Sequence, residues 1–204
     1  MPSIRQSSLV AGAIGVAYLI GTFPTASIVA RRASGGAVDL RTAGTGNPGS
    51  ANALGVLGAK AGAAVLVGDV GKGIIACVVG GVIGGPAGAN LAGTAAVAGH
   101  CYPVWTGFAG GKGVATSVGQ CLATFPAYFP IDAAVAVATA SSSRWRQRAF
   151  AATAVSSALW FIGSVVWWRR GWPNLWGPAP SGVLPISTGL STLMIMKRFL
   201  DAQS

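Results

Sequence analysis

Seven apolar segments follow one another along the chain, and they limit the fold more than any other feature of the sequence. Of the 204 residues, 52% are hydrophobic and only 9% are charged, whereas soluble domains carry about 25% charged residues. A water-soluble fold needs a charged surface that this chain lacks. The sequence therefore predicts an all-α integral membrane protein, a polytopic helical bundle forming one domain over residues 1–204. The segments lie near Leu9–Ala30, Gly62–Gly84, Ala89–Val104, Val114–Phe125, Tyr128–Ala140, Ala149–Trp168 and Val183–Leu200.

The distribution of basic residues predicts how these segments cross the membrane. The fourth and fifth are shorter than the roughly 20 residues of a straight span, so they are either two tilted helices or one element bent at Pro126 and Pro130. With seven crossings, ten of the 14 lysines and arginines fall on one side, three on the other and Lys72 within a span. Because basic residues concentrate in the cytoplasm, the N-terminus is predicted outside and the C-terminus inside.

The formal net charge of +10 also limits the choice of partners. The basic residues are dispersed among apolar segments, so no domain carries a nucleic-acid-binding face. Membrane lipids with anionic headgroups are the expected partners, and nucleic acid is not. No cofactor or metal is expected, because the three cysteines lack the spacing of a metal site.

A glycine-rich polar loop, residues 39–52, joins the first two apolar segments. Glycine tolerates positive φ and has no Cβ, so such a loop brings backbone N–H groups close to an anion. The loop is predicted to bind a phosphate, and a tight connecting turn is the structural alternative. Thr45 is a candidate catalytic residue. The candidate phosphate-binding residues are Arg41, Gly44, Gly46, Asn47, Gly49, Ser50 and Asn52.

A second glycine-rich loop, residues 107–113, adds the cation of Lys112. It does not match a P-loop, because Gly113 stands where Ser or Thr should follow the lysine. Residues 44–49 likewise have the G-x-G-x-x-G spacing of a dinucleotide-binding motif, but membrane segments flank them where that motif requires a βαβ unit. A cationic loop at a helix start favours an anion. Lys112 is the second candidate catalytic residue, neutralising a phosphate or the charge that develops in acyl transfer. Further phosphate-binding candidates are Gly110, Gly111 and Gly113.

Two charged residues, Asp69 and Lys72, fall within the second apolar segment. Their spacing of three places them on one face of a helix. Because an unpaired charge at mid-bilayer costs roughly 2.5–3.5 kcal/mol, they are predicted to face the bundle interior and each other. They either line the site or form a structural ion pair. His100, just before the second loop, is a candidate general base or a hydrogen-bonding residue at a helix end. All three are interpreted as supporting residues.

In combination these motifs resemble the bacterial membrane family that transfers an acyl group from acyl phosphate to glycerol-3-phosphate. The matching segments are residues 18–22, 39–52, 69–73 and 99–116. The resemblance implies seven helices in the bacterial inner membrane, with the site loops in the cytoplasm. It implies that acyl phosphate and glycerol-3-phosphate react to give 1-acyl-glycerol-3-phosphate (lysophosphatidate) and phosphate, the first step of phospholipid synthesis. The first loop with Thr45 would hold phosphate, Lys112 would supply charge, and no covalent acyl-enzyme would form.

The chain departs from the family pattern, mainly in its C-terminal third. Gly55 stands where the family usually carries an arginine, a short Tyr-Ser motif is not recognisable at residues 148–151, and the terminal His-x-x-Asn element is missing. Those elements belong to the family's phosphate-substrate pocket. Two alternatives therefore stay open: a non-catalytic or altered-acceptor paralogue, and a small transporter of phosphorylated solutes, since Asp69 and Lys72 lie within a span.

Overall fold

The computed structural model describes residues 4–202, which form eight α-helices and one short 3-10 helix and contain no strand. The outermost residues of the predicted domain, 1–3 and 203–204, lie outside the described residues. The α-helices are α1 (Ile4–Gly21), α2 (Thr25–Ser34), α3 (Ser50–Leu57), α4 (Ala59–Cys101), α5 (Val114–Thr124), α6 (Phe129–Ser141), α7 (Arg148–Arg170) and α8 (Val183–Asp201), and the 3-10 helix is Val104–Thr106.

Between residues 4 and 202, four helical runs are long and apolar enough to cross a membrane, and α6 is a shorter apolar helix. These features confirm the prediction of an all-α membrane bundle. The number of crossings and their orientation stay predictions. The four runs are Ile4–Ser34, Ala59–Thr106, Arg148–Arg170 and Val183–Asp201.

Helix α4 is a helical hairpin rather than a straight rod. At Gly85 the backbone takes φ 65° and ψ −158°, and Pro86 follows. A positive φ is accessible to glycine at little cost, so the chain reverses there. Asp69 and His100 consequently approach to 3.6 Å between Oδ1 and Nδ1, whereas 31 residues of straight helix would separate them by about 47 Å. The two halves correspond to the second and third predicted segments.

The first apolar segment is not the single helix predicted over Leu9–Ala30. Helix α1 ends at Gly21, and α2 begins at Thr25 after Pro24. Proline has no N–H to continue the hydrogen-bond ladder, and its ring clashes with the preceding turn. The prediction was wrong here because hydropathy stays high across residues 22–25 and hides the interruption.

The fourth and fifth predicted segments are separate helices, α5 and α6, joined by residues 125–128. At 11 and 13 residues, they are about 16 and 20 Å long. Neither helix alone matches the roughly 30 Å of a bilayer core. Whether α5 and α6 cross the membrane as two tilted helices or as one element broken at Pro126 therefore stays a prediction.

Small and polar side chains hold the helices together. A cluster of alanines, including Ala17 of α1 and Ala96 of α4, is buried where these two helices meet, as expected when membrane helices approach closely. A hydrogen-bonded network joins α4, α5 and α8: Ser191 Oγ donates to Gln120 Oε1 over 2.8 Å, and the amide of Gln120 lies 3.4 Å from Thr94 Oγ1. This network fixes α8 against the hairpin.

Candidate active site

A cavity of about 160 Å³ lies where the first apolar segment is interrupted. Its wall combines the break between α1 and α2, the open end of the hairpin and parts of both glycine loops. Three distant stretches of sequence therefore meet at one point. The polar and loop residues of the wall include Thr22, Ser27, Arg41, Asp69, Lys72, His100, Thr106, Gly110 and Gly111.

An ion pair and a histidine form the deepest polar part of this wall. Lys72 Nζ lies 2.9 Å from Asp69 Oδ1, and their side chains are only 7% and 2% exposed. His100 Nδ1 lies 3.6 Å from the same carboxylate oxygen, and Lys72 also donates to the backbone carbonyl of Phe23 over 3.4 Å. Asp69 Oδ2 has no hydrogen-bond partner among residues 4–202. The contact between Asp69 and Lys72 that the sequence predicted is thus formed, and it faces the cavity.

Arg41 is the cation that the first glycine loop contributes to the cavity. Its Nη2 lies 2.8 Å from Asp39 Oδ2, and both side chains are nearly half exposed. This hydrogen bond lowers the pKa of the Asp39 carboxyl and raises that of the Arg41 guanidinium. Both groups therefore stay charged at neutral pH, and Asp39 fixes Arg41 while leaving it open to solvent and to an anion.

Asn52 shapes the first loop from within instead of pointing into the cavity. Its Nδ2 donates to the carbonyls of Leu40 (3.0 Å) and Ala43 (2.9 Å), and its Oδ1 accepts from the N–H of Thr45 over 2.8 Å. Its hydrogen-bonding capacity is therefore spent on the loop backbone. Asn52 thus holds the loop, and direct phosphate binding by this residue stays a prediction.

The backbone of the first loop is also less available than the predicted phosphate nest required. The N–H of Gly46 donates to Ala43 and that of Gly49 to Asn47, over 3.1 and 2.8 Å. Of the described loop residues, Arg41 and Pro48 line the cavity. The remaining predicted residues of this loop do not line the cavity, and their contact with phosphate stays a prediction: Gly44, Thr45, Gly46, Asn47, Gly49 and Ser50.

Replacing Asn52 with alanine is expected to destabilise the protein by on the order of 3 kcal/mol, because three loop backbone groups lose their partner in a largely buried setting. Unfolding by denaturant titration in detergent measures the change. Thr42→Ala is the matched control, since that exposed side chain makes one hydrogen bond to the Asp39 carbonyl. Equal stability of the two variants would contradict the assigned role.

The second glycine loop is attached to the end of α4. The N–H of Gly110 donates to the carbonyl of Cys101 and that of Gly111 to the carbonyl of His100, each over 3.1 Å. A Cβ at Gly110 would overlap this backbone, and a Cβ at Gly111 would overlap the His100 imidazole. Only glycine allows the loop to lie this close, so these two residues form the cavity wall beside His100.

Lys112 follows directly in the chain but does not line the cavity. Its Nζ lies 4.2 Å from the ring centroid of Phe199 on α8, a cation–π contact. Burial, and secondarily the charge of Arg198, lower the pKa of this ammonium group. Gly113 lies close to the Val97, Cys101 and Ile195 side chains, and its predicted contact with phosphate stays a prediction. Lys72 therefore lines the cavity, whereas Lys112 does not, although the residue before it, Gly111, does.

Sequence reasoning missed two polar residues around the site, Thr22 and Arg198. Thr22, at the break after α1, accepts a hydrogen bond from the indole N–H of Trp105 over 3.0 Å. Arg198 of α8 donates to both Gly110 and Gly111. Pro24 was the available signal for the break, whereas nothing local to Arg198 indicated its partners 87 and 88 residues away.

Comparisons with known proteins assign the chain to a family. The sequence profile of glycerol-3-phosphate acyltransferase matches residues 11–199. The glycerol-3-phosphate acyltransferase of Desulforudis audaxviator is 39% identical over 157 residues, covering 77% of this chain and 78% of that protein. That of Clostridioides difficile is 49% identical over 117 residues, covering 54% and 56% respectively.

The fold agrees with a solved member. The crystal structure of PlsY (YgiH), an integral membrane glycerol 3-phosphate acyltransferase, in its glycerol 3-phosphate form superposes with a TM-score of 0.75 at 26% identity. The superposition covers 94% of this chain and 88% of that one. The lysophosphatidic acid form gives a TM-score of 0.73 at 25% identity. The chain therefore belongs to the glycerol-3-phosphate acyltransferase family of integral membrane enzymes.

Proposed function

We propose that this protein transfers an acyl group from acyl phosphate to the 1-hydroxyl of glycerol-3-phosphate at the cytoplasmic face of the bacterial inner membrane. The hydroxyl oxygen forms an ester bond with the acyl carbon, the bond between that carbon and the phosphate oxygen breaks, and the proton leaves with inorganic phosphate. The product is 1-acyl-glycerol-3-phosphate, at the first step of phospholipid synthesis. The observation that carries the proposal is the cationic cavity at the interrupted first span of a chain from this family.

The cavity supplies the two things that this reaction needs most. Each substrate bears a phosphate, and Arg41 and Lys72 place positive charge in the wall. Acyl phosphate is already an activated mixed anhydride, so alignment of the hydroxyl with the acyl carbon supplies much of the catalysis. His100 lies in the wall, where it would hold the acceptor hydroxyl, and Lys72 and Arg41 would stabilise the developing charge. Asn52 and Asp39 keep the first loop and Arg41 in place.

Lys112 and Thr45 keep the catalytic roles predicted for them, with a condition that the structure adds. The ammonium group of Lys112 must leave the Phe199 ring and turn past Gly111 to reach a bound phosphate. A lysine side chain has the flexible stem for such a turn. Thr45 lies in the first loop, where its hydroxyl is exposed and its N–H is held by Asn52.

Formation of labelled lysophosphatidate by the purified protein in detergent, from acyl phosphate and labelled glycerol-3-phosphate, tests this function. The wild type is expected to form the product, whereas Lys112→Ala and Thr45→Ala form little. A wild type that is inactive under conditions in which the Desulforudis relative is active would overturn the assignment.

A change of acceptor is the second candidate, and Gly55 favours it. This residue is exposed and stands where the family usually carries an arginine, so one cation of the expected phosphate pocket is absent at that position. The same assay with a panel of phosphorylated and unphosphorylated polyols separates the two candidates. Preference for an acceptor without a phosphate would establish the second.

The lowered pKa of Lys112 predicts the pH at which kcat/KM falls on the alkaline side. If the ammonium form is required, kcat/KM falls as pH rises through that pKa, which burial and Arg198 hold below the ordinary lysine value. The alkaline limb is therefore expected at a lower pH than for an exposed lysine. In Lys112→Arg this limb should disappear, since a guanidinium stays protonated. An unchanged limb in that variant would contradict a role for the ammonium group.

A further inference from the structure

The last helix reaches the cavity wall through one side chain. Arg198 on α8 donates from Nε to the carbonyl of Gly111 over 3.2 Å and from Nη2 to the carbonyl of Gly110. Its guanidinium carbon lies 5.5 Å from the ring centroid of Tyr102, so the group is held from two directions. Two parallel donors in a rigid plane suit two adjacent carbonyls, as they suit a carboxylate.

These carbonyls belong to the two residues whose N–H groups are bonded to the end of α4. Gly110 and Gly111 thus receive Arg198 on one side and donate to Cys101 and His100 on the other. Both glycines line the cavity, whereas Arg198 does not. Arg198 therefore acts on the cavity wall through its bonds to the Gly110 and Gly111 carbonyls, the side of these glycines that their N–H bonds to α4 do not hold.

The neighbouring residue shows that a cation at the end of α8 does not by itself make this contact. Lys197 points elsewhere: its ammonium group pairs with Asp201 over 3.0 Å, and its side chain is 64% exposed. Lys197 and Arg198 thus share a helix end and a charge but differ in contact with the second loop. They form a natural matched pair for an experiment.

We propose that Arg198 is a positioning residue for acyl transfer, holding Gly110 and Gly111 against His100 so that the last helix completes the wall of the catalytic cavity. The inference rests on the proposed function for its catalytic readout. It assigns to α8 a role through Arg198, in a chain that lacks the terminal His-x-x-Asn element of the family.

The variants Arg198→Ala, Arg198→Lys and Lys197→Ala test the inference by steady-state kinetics and thermal unfolding in detergent. Loss of both loop contacts in Arg198→Ala is expected to lower kcat about 100-fold with little change in KM, the effect of misplacing a site by about 1 Å. Arg198→Lys keeps the positive charge but loses the planar pair of N–H donors that binds both carbonyls, so its kcat should lie between those of the wild type and Arg198→Ala. Lys197→Ala should match the wild type.

Chemical rescue adds a readout that a merely structural role would not move. Added guanidinium at millimolar concentration is expected to restore part of the activity of Arg198→Ala, saturably, and to leave Lys197→Ala unchanged. A wild-type kcat in Arg198→Ala would overturn the proposal. So would a loss expressed mainly in KM, or equal losses in Ala and Lys variants without rescue.

Hydrogen–deuterium exchange separates this inference from the proposed function. In Arg198→Ala, peptides spanning residues 107–113 should exchange faster, while those of α1 remain protected. That result does not require turnover. If the wild type proved inactive but exchange rose as expected, the acyltransferase assignment would fail and the positioning contact would stand. Unchanged exchange in an active enzyme would overturn the contact alone.

Discussion

Replacement of Gly111 by alanine is expected to lower acyl transfer at least 100-fold while the protein remains folded. The added methyl group would occupy the space of the His100 imidazole, which is buried and held near Asp69. The ring must therefore move away from the carboxylate, or the loop must move away from the cavity. Either displacement alters the wall by an ångström or more, and a misplacement of that size costs about 10²-fold in rate.

The experiment compares kcat and thermal unfolding of Gly111→Ala with those of two other glycine variants. Gly110→Ala should lose stability as well as activity, because its methyl group meets the backbone of His100, which cannot rotate away. Gly12→Ala is the control, since a methyl group there meets open space on α1. Wild-type rates in Gly111→Ala would show that the reaction does not take place at this wall.

Breaking the buried pair of Asp69 and Lys72 is expected to have the second large effect. Asp69→Leu leaves an ammonium group without its partner, and Lys72→Met leaves a carboxylate, so each single variant should lose about 3–5 kcal/mol of stability. The double variant removes both charges and replaces them with apolar groups of similar volume. It should recover most of the stability, as buried pairs often do, and remain inactive.

Denaturant unfolding in detergent and the lysophosphatidate assay, applied to all four proteins, separate structure from chemistry. Recovery of stability without activity would show that the cavity needs the charges themselves. Recovery of both would reduce the pair to a structural ion pair, which was the other interpretation of the sequence. Failure of the double variant to recover stability would contradict the pairing.

The sequence predicted the class of fold because composition and segment length leave few alternatives. Scarce charge and long apolar runs indicated membrane helices, and the structure and the family comparison confirm this and the resemblance. The sequence analysis did not predict the break before Pro24, because hydropathy is averaged over many residues. A single proline can interrupt a helix without changing that average, since it lacks the N–H for one helical hydrogen bond.

The sequence predicted which two loops lie near the site, but it did not predict which of their side chains contact the cavity. Glycine spacing pointed to two loops that do approach one cavity. Whether Asn52 faces a ligand or its own loop depends on backbone carbonyls that only the folded chain brings near. The same holds for Lys112, which lies on Phe199, and for Arg198, which the sequence presented only as one charge among 14.

The break between α1 and α2 lowers the stability of the first helical segment but gives substrates access to the cavity. At the gap, the carbonyl of Phe23 accepts from the N–H of Thr25 and from Lys72, so a main-chain oxygen serves the cavity instead of a regular helical turn. A continuous helix would be the more stable conformer in lipid, and it would close the opening. We therefore expect a substitution that joins α1 and α2 into one helix to stabilise this segment and to lower activity, the usual trade between stability and function at a site.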